Sequence, residues 1–188
     1  MGELKDYSGP IKPKGFQWED FSKETLIKVM GEYARLYLMI DGLWNTIVTR
    51  DSGMEAADKW DTEVWLTIPR PLLIGLKKTL NIEGNDVVSL LKTIQFDPGF
   101  TPHLFDYDLE VKNNNHVIMN IHKCPSLLYF ESKAPEKVMP ICHELEPPCF
   151  QEYCNVYDSR IKCTPLKLPP RKGPDDVPHC IWEFKLEE

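Results

Sequence analysis

The spacing of apolar side chains predicts helices in the first half of the chain and strands in much of the second. Residues 1–20, with Gly2, Gly15, Pro10 and Pro13, carry neither periodicity and read as an irregular arm closed by Phe16 and Trp18 packing down. Ser22 is then placed to cap a helix, with Phe21 before it as a hydrophobic staple. Leu26, Val29, Met30, Tyr33, Tyr37, Ile40, Trp44, Ile47 and Val48 follow a helical period and predict a long amphipathic helix to about Arg50. Asp51-Ser52-Gly53 breaks it. Met54, Ala57, Trp60, Val64, Trp65 and Ile68 resume the period as a second helix antiparallel to the first. Pro69 and Pro71 end or kink that helix, residues 72–80 continue as a further helical piece, and a cap at Asn85 starts another, with Val87, Val88, Leu91 and Ile94 inward.

After Asp97-Pro98-Gly99 the period changes from helical to alternating. Phe105, Tyr107, Leu109 and Val111 form a strand, Asn113-Asn114-Asn115 a hairpin turn tolerant of positive φ, and Val117, Met119 and Ile121 the return strand. Residues 125–132 read as a short helix. Pro135 opens a longer one through Val138, Ile141, Cys142 and Leu145 toward Tyr153, interrupted by Pro147-Pro148. Residues 160–168 form a third strand, the Pro-rich stretch 169–178 a loop, and Cys180, Trp182, Phe184 and Leu186 a fourth strand. The expectation is an α+β fold: N-terminal antiparallel helices, then a four-stranded antiparallel sheet with a packed helix. The arm, a helical subdomain over 21–97 and a cysteine-rich α+β subdomain over 98–188 are expected to make one unit.

Composition narrows the function. With 22 Lys and Arg against 29 Asp and Glu, the net charge of −7 repels nucleic acid and anionic membranes. The longest apolar run, residues 36–40, is far too short for a bilayer, and no charged start precedes an export segment, so the expected location is cytoplasmic. Met1-Gly2 fails as an acylation signal because position 6 is Asp. Gly-rich phosphate loops, nucleophile elbows, His-Glu-x-x-His pairs and Cys-x-x-Cys pairs are all missing.

The chemistry that remains lies in two groups. All six cysteines fall between Cys124 and Cys180. If the central strands and the long helix pack together, Cys124, Cys142 and Cys180 converge, and with His143 they could hold tetrahedral zinc. Reduced core thiols or a nucleophile are the other readings. The second group is helical. Asp41 lies at the margin of the first apolar stripe, and Asp61, four after Ala57 and four before Trp65, lies within the second. Each acid either pairs with Arg35, Arg50, Lys59 or an indole N–H, or keeps a raised pKa suited to acid–base work. Trp44 and Trp65 are core residues or the walls of a site for a flat or cationic ligand.

The order Asp41-Gly42-Leu43-Trp44, residues 53–57 (Gly-Met-Glu-Ala-Ala), Asp61, Val64-Trp65, Lys123-Cys124-Pro125, Ile141-Cys142, residues 165–171 (Pro-Leu-Lys-Leu-Pro-Pro-Arg) and residues 180–184 (Cys-Ile-Trp-Glu-Phe) resembles a family of uncharacterised bacterial and archaeal cytosolic proteins. That family looks related to the L-2-amino-thiazoline-4-carboxylate hydrolase-like proteins and, distantly, to 4-vinyl reductase domains. The resemblance implies a small-molecule hydrolase of a cyclic C–N bond, with Asp41 or Asp61 activating water and Cys124, Cys142 and Cys180 supplying zinc or a nucleophile. The Cys142 and Cys180 region looks like the counterpart of the zinc site in the 4-vinyl reductase relatives, but neither cysteine stands in the Glu-x-x-Cys arrangement used there. A non-catalytic ligand-binding module with a structural metal or reduced thiols is the alternative. The expected partner is a small molecule, and a homodimer would cover the exposed sheet edges.

Overall fold

The structure, a computed structural model, describes residues 4–188; Met1-Gly2 and the start of the arm lie outside them. Ser22 caps α1 (Lys23–Ser52), its hydroxyl accepting from the Thr25 N–H. Gly53, at φ +85°, ends α1 in a conformation that a side chain would strain, and α2 (Met54–Thr67) turns back alongside. Pro69 opens α3 (Pro69–Thr79) at the position where its missing N–H costs nothing. Helix α4 (Val87–Ile94) is capped by Asp86, one residue beyond the expected Asn85, with its carboxylate 2.7 Å from the Ser89 N–H. The cap follows Gly84, where a Cβ would lie 2.2 Å from Ser89 Oγ. Asp86→Ala is expected to destabilise the protein by about 1 kcal/mol, read as a lowered thermal midpoint.

Strands β1 (Asp106–Asn113) and β2 (His116–Lys123) form the expected hairpin, and β3 (Ile161–Lys167) and β4 (Cys180–Leu186) complete an antiparallel sheet in the order β1-β2-β4-β3. The fold is therefore the α+β arrangement read from the sequence. Helix α5 (Pro125–Lys133) follows β2. The long helix expected after Pro135 is instead a 3₁₀ turn (Pro135–Lys137), a π-helical turn (Pro140–Leu145) and α6 (Glu146–Tyr157). The cause is Pro147-Pro148: neither ring has an N–H for the carbonyls of residues 143 and 144, and both crowd them. The preceding turn widens so that the Glu146 N–H reaches Ile141 O. The two prolines thus begin α6 rather than end it.

Leu73, Leu90, Ile94, Met119, Phe150 and Trp182 belong to one buried cluster that joins α3, α4 and α6 to the inner sheet face, so both expected subdomains share a core. Helices α1 and α2 lie at its margin. Of the stripe on α1, Met30, Tyr33, Ile40, Trp44 and Ile47 remain exposed, and Ala34 is the helix's buried residue. Phe16 and Trp18 contact the aromatic rings of Tyr7, Phe21 and Tyr33 but stay about half exposed, so the arm closes less tightly than expected. No helix among the described residues is long and apolar enough to cross a membrane.

Candidate functional site

A cavity of about 730 Å³ lies between α1, α2, α5, α6 and the inner sheet face. Asp41, Asp61 and Trp65 line it from the helical side, and Cys124, Cys142 and Cys180 from the other. The two groups singled out in the sequence therefore share one space.

The helix pair builds the acidic side. Asp41 on α1 and Asp61 on α2 face each other across the antiparallel pair, and the Trp65 indole N–H donates to Asp41 Oδ1 at 3.2 Å. Asn45 Nδ2 donates to Asp61 Oδ2 at 3.4 Å. The charge on Asp41 disfavours ionisation of Asp61, so the two carboxyls lose their protons in linked steps. Arg35 pairs with Glu32 and Arg50 with Asp51, so neither neutralises the acids. Burial raises the Asp41 pKa. Burial, then the Asp41 charge, pushes Asp61 up to about 7, opposed by Lys137. Asp61 Oδ1 is buried with no hydrogen-bond partner. A buried carboxylate oxygen left unpaired is costly unless a ligand or water donates to it.

Strand register and the widened turn build the thiol side. Pairing of Ile121 with Cys180 puts the start of β4 beside the end of β2, close to Cys124. Cys124 caps α5, its Sγ accepting from the Leu127 N–H at 3.4 Å, and Cys180 Sγ accepts from the Trp182 indole at 3.3 Å. Burial pushes the Cys142 and Cys180 thiols up to about 12 and Cys124 higher still. These sulfurs are neutral thiols at physiological pH and poor nucleophiles.

Sequence reasoning missed Glu146. The π-helical turn delivers it to the cavity, where burial, then Asp61 and Asp97, push its carboxyl up to about 7 with no hydrogen bond to offset them. The local signal is Glu146-Pro147-Pro148-Cys149, a Glu-x-x-Cys run, while the glutamate between Leu145 and Pro147 by itself reads as a solvated helix start. Asp97 also lines the cavity, but it accepts from Tyr153 Oη at 2.6 Å and from the Gly99 N–H at 2.7 Å, which marks it as a packing residue.

Two expected residues fall elsewhere. Trp44 meets Trp60 in a tilted pair with ring centroids 6.5 Å apart and is not part of the lining. His143 turns to the Pro169 carbonyl, 2.5 Å away, because successive helical residues point about 100° apart and Cys142 takes the inward direction. Among the described residues no group of three or more His, Cys, Asp or Glu is placed to hold a metal ion. The donor set implied for zinc therefore does not fit that ion here, and no step is derived through it. The remaining cysteines pack: Cys149 Sγ donates to Trp65 O at 3.3 Å, Cys154 is fully buried, and Cys163 packs against the core cluster.

A family model described as a family of unknown function (DUF6125) matches residues 19–186. No curated protein and no solved structure matches the chain.

Proposed function

We propose, for a chain that belongs to the DUF6125 family of unknown function, that its cavity hydrolyses a cyclic C–N bond of a small molecule by general acid–base catalysis. The observation that carries this reading is the pair Asp61 and Glu146: two carboxyls pushed to about 7 that line the same cavity. Groups that titrate near the working pH transfer protons best in both directions. Asp61, with its unpartnered Oδ1, is the base. It takes a proton from water as the water oxygen bonds to the ring carbon. Glu146, held neutral by its surroundings, is the acid. It protonates the ring nitrogen, which departs with the electron pair of the broken C–N bond. Asp41 is a positioning residue, fixed by Trp65, whose charge raises the Asp61 pKa.

The lining also restricts the substrate. Its basic side chains, Arg35 and Lys137, are engaged by Glu32 and Asp58, while four carboxyls face inward. A carboxylate-bearing ring would meet like charge without a counter-ion. The reading therefore narrows to neutral or protonated cyclic amidines and thiazolines, seated among Trp65, Phe100, Phe105, Phe150 and Trp182.

A panel of such rings, each with and without a carboxylate, tests the proposal by release of the ring-opened product. Turnover of the uncharged or cationic members is expected, with loss in both Asp61→Asn and Glu146→Gln. Turnover unchanged in both variants removes the acid–base assignment. The mainly aromatic and aliphatic lining favours the second reading, a non-catalytic receptor, which predicts binding of panel members without product.

A further inference from the structure

The stripe on α1 that the core leaves uncovered has the geometry of a helix–helix seam. Leu26, Val29, Tyr33, Leu36, Ile40, Leu43 and Ile47 alternate in steps of three and four, the spacing that brings side chains to one side of a helix packed against another. Within α1 this seam faces away from the sheet. Tyr33 is 55 % exposed, Ile40 66 %, Leu43 54 % and Ile47 50 %. From Leu36 to Thr49 the single charged residue is Asp41, which faces the cavity. Helix α2 extends the surface: Trp60 contacts Trp44, and Met54, Trp60 and Val64 are also exposed.

The size of this face decides what covers it. Eight large apolar side chains about half exposed, at roughly 150–250 Å² for a full aromatic and less for an aliphatic, present on the order of 700 Å². The largest apolar patch on a typical monomer is roughly 300–600 Å², whereas a stable dimer covers about 800 Å² per partner. The sheet edges offer no competing surface. Strand β1 carries Asp106, Asp108, Glu110 and Lys112 along its length, and β3 has Pro165 with a register shift beside it. Both devices discourage edge pairing.

We propose that a second copy of this chain covers the face, the α1–α2 hairpins of two copies packing as a four-helix bundle about a twofold axis. Leu43 belongs both to this face and to the cavity lining, so the second copy closes the α1 rim of the cavity.

Sedimentation equilibrium of the full chain tests this independently of any turnover. The expected mass is twice 21.8 kDa at micromolar concentration. Ile40→Glu with Ile47→Glu is expected to weaken association roughly 100-fold or more while leaving far-UV circular dichroism unchanged, because both side chains lie outside the buried core. Val111→Glu on the β1 edge is expected to leave the dimer intact. A wild-type chain that stays monomeric at high micromolar concentration overturns the proposal, whether or not it then cosediments with phosphatidylcholine vesicles. So does a dimer that survives the double substitution or is lost with Val111→Glu.

Discussion

Asp61→Asn is expected to lower turnover of a responsive substrate by roughly 10²–10⁴-fold and, at the same time, to make the protein more stable above neutral pH. Both effects have one cause. Burial raises Asp61 and Glu146 to about 7, against about 4 for the same groups in an unfolded chain. Between those values the native state binds protons that the unfolded state has released, so stability falls as pH rises through that window and is lowest above about 7. The full shift of Asp61 corresponds to at most roughly 4 kcal/mol, and water reaching the cavity reduces it to about 1–3 kcal/mol. Asn keeps the shape and the contact with Asn45 but never carries the charge. Denaturant unfolding at about pH 5 and pH 8 should therefore show a wild-type loss of stability on raising the pH, and a smaller loss in Asp61→Asn and in Glu146→Gln. Stability in the wild type that is flat or rising over this interval contradicts the raised carboxyls, and with them the acid–base site.

Trp182→Ala is expected to destabilise the fold by about 3–5 kcal/mol. The indole is 2 % exposed, its ring centroid lies 4.7 Å from that of Phe150, and its N–H donates to Cys180 Sγ. Trp182 also lines the cavity, so truncation merges new empty volume with space already present instead of letting neighbours collapse inward. Trp182→Phe retains most of the ring and is expected to lose less than half as much. The midpoint and slope of urea unfolding measure both. A loss below about 1 kcal/mol for the alanine variant would show that the sheet does not depend on this contact.

The elements were legible where their cause is local. Ser22 caps α1 through a residue three positions away, Gly53 ends it through its own φ, and the alternation of Cys180, Trp182, Phe184 and Leu186 follows from the two-residue period of a strand. Asp61 was legible as an acid on an apolar helical face. Errors came where two local signals compete or where distance matters. Asn85 and Asp86 are equally good caps by type, and Asp86 aligns with the Ser89 N–H. Pro147-Pro148 looked like an interruption, yet the prolines sit in the first turn of α6 and transfer their cost to a widened turn upstream.

The chain alone therefore determines the helices and strands, the segregation of thiols to its second half and the placement of Asp41 and Asp61 on helical faces, because each depends on dihedral preference and periodicity within a few residues. Tertiary structure decides that Cys124, Cys142 and Cys180 border the same space as those acids, that Glu146 joins them while His143 turns away, and that the apolar seam of α1 finds no cover among the described residues. The physical reason is that burial, and every pKa that follows from it, is a property of which distant surfaces meet: the β2–β4 register and one widened turn set those meetings, and neither leaves a periodic trace in the residues it brings together.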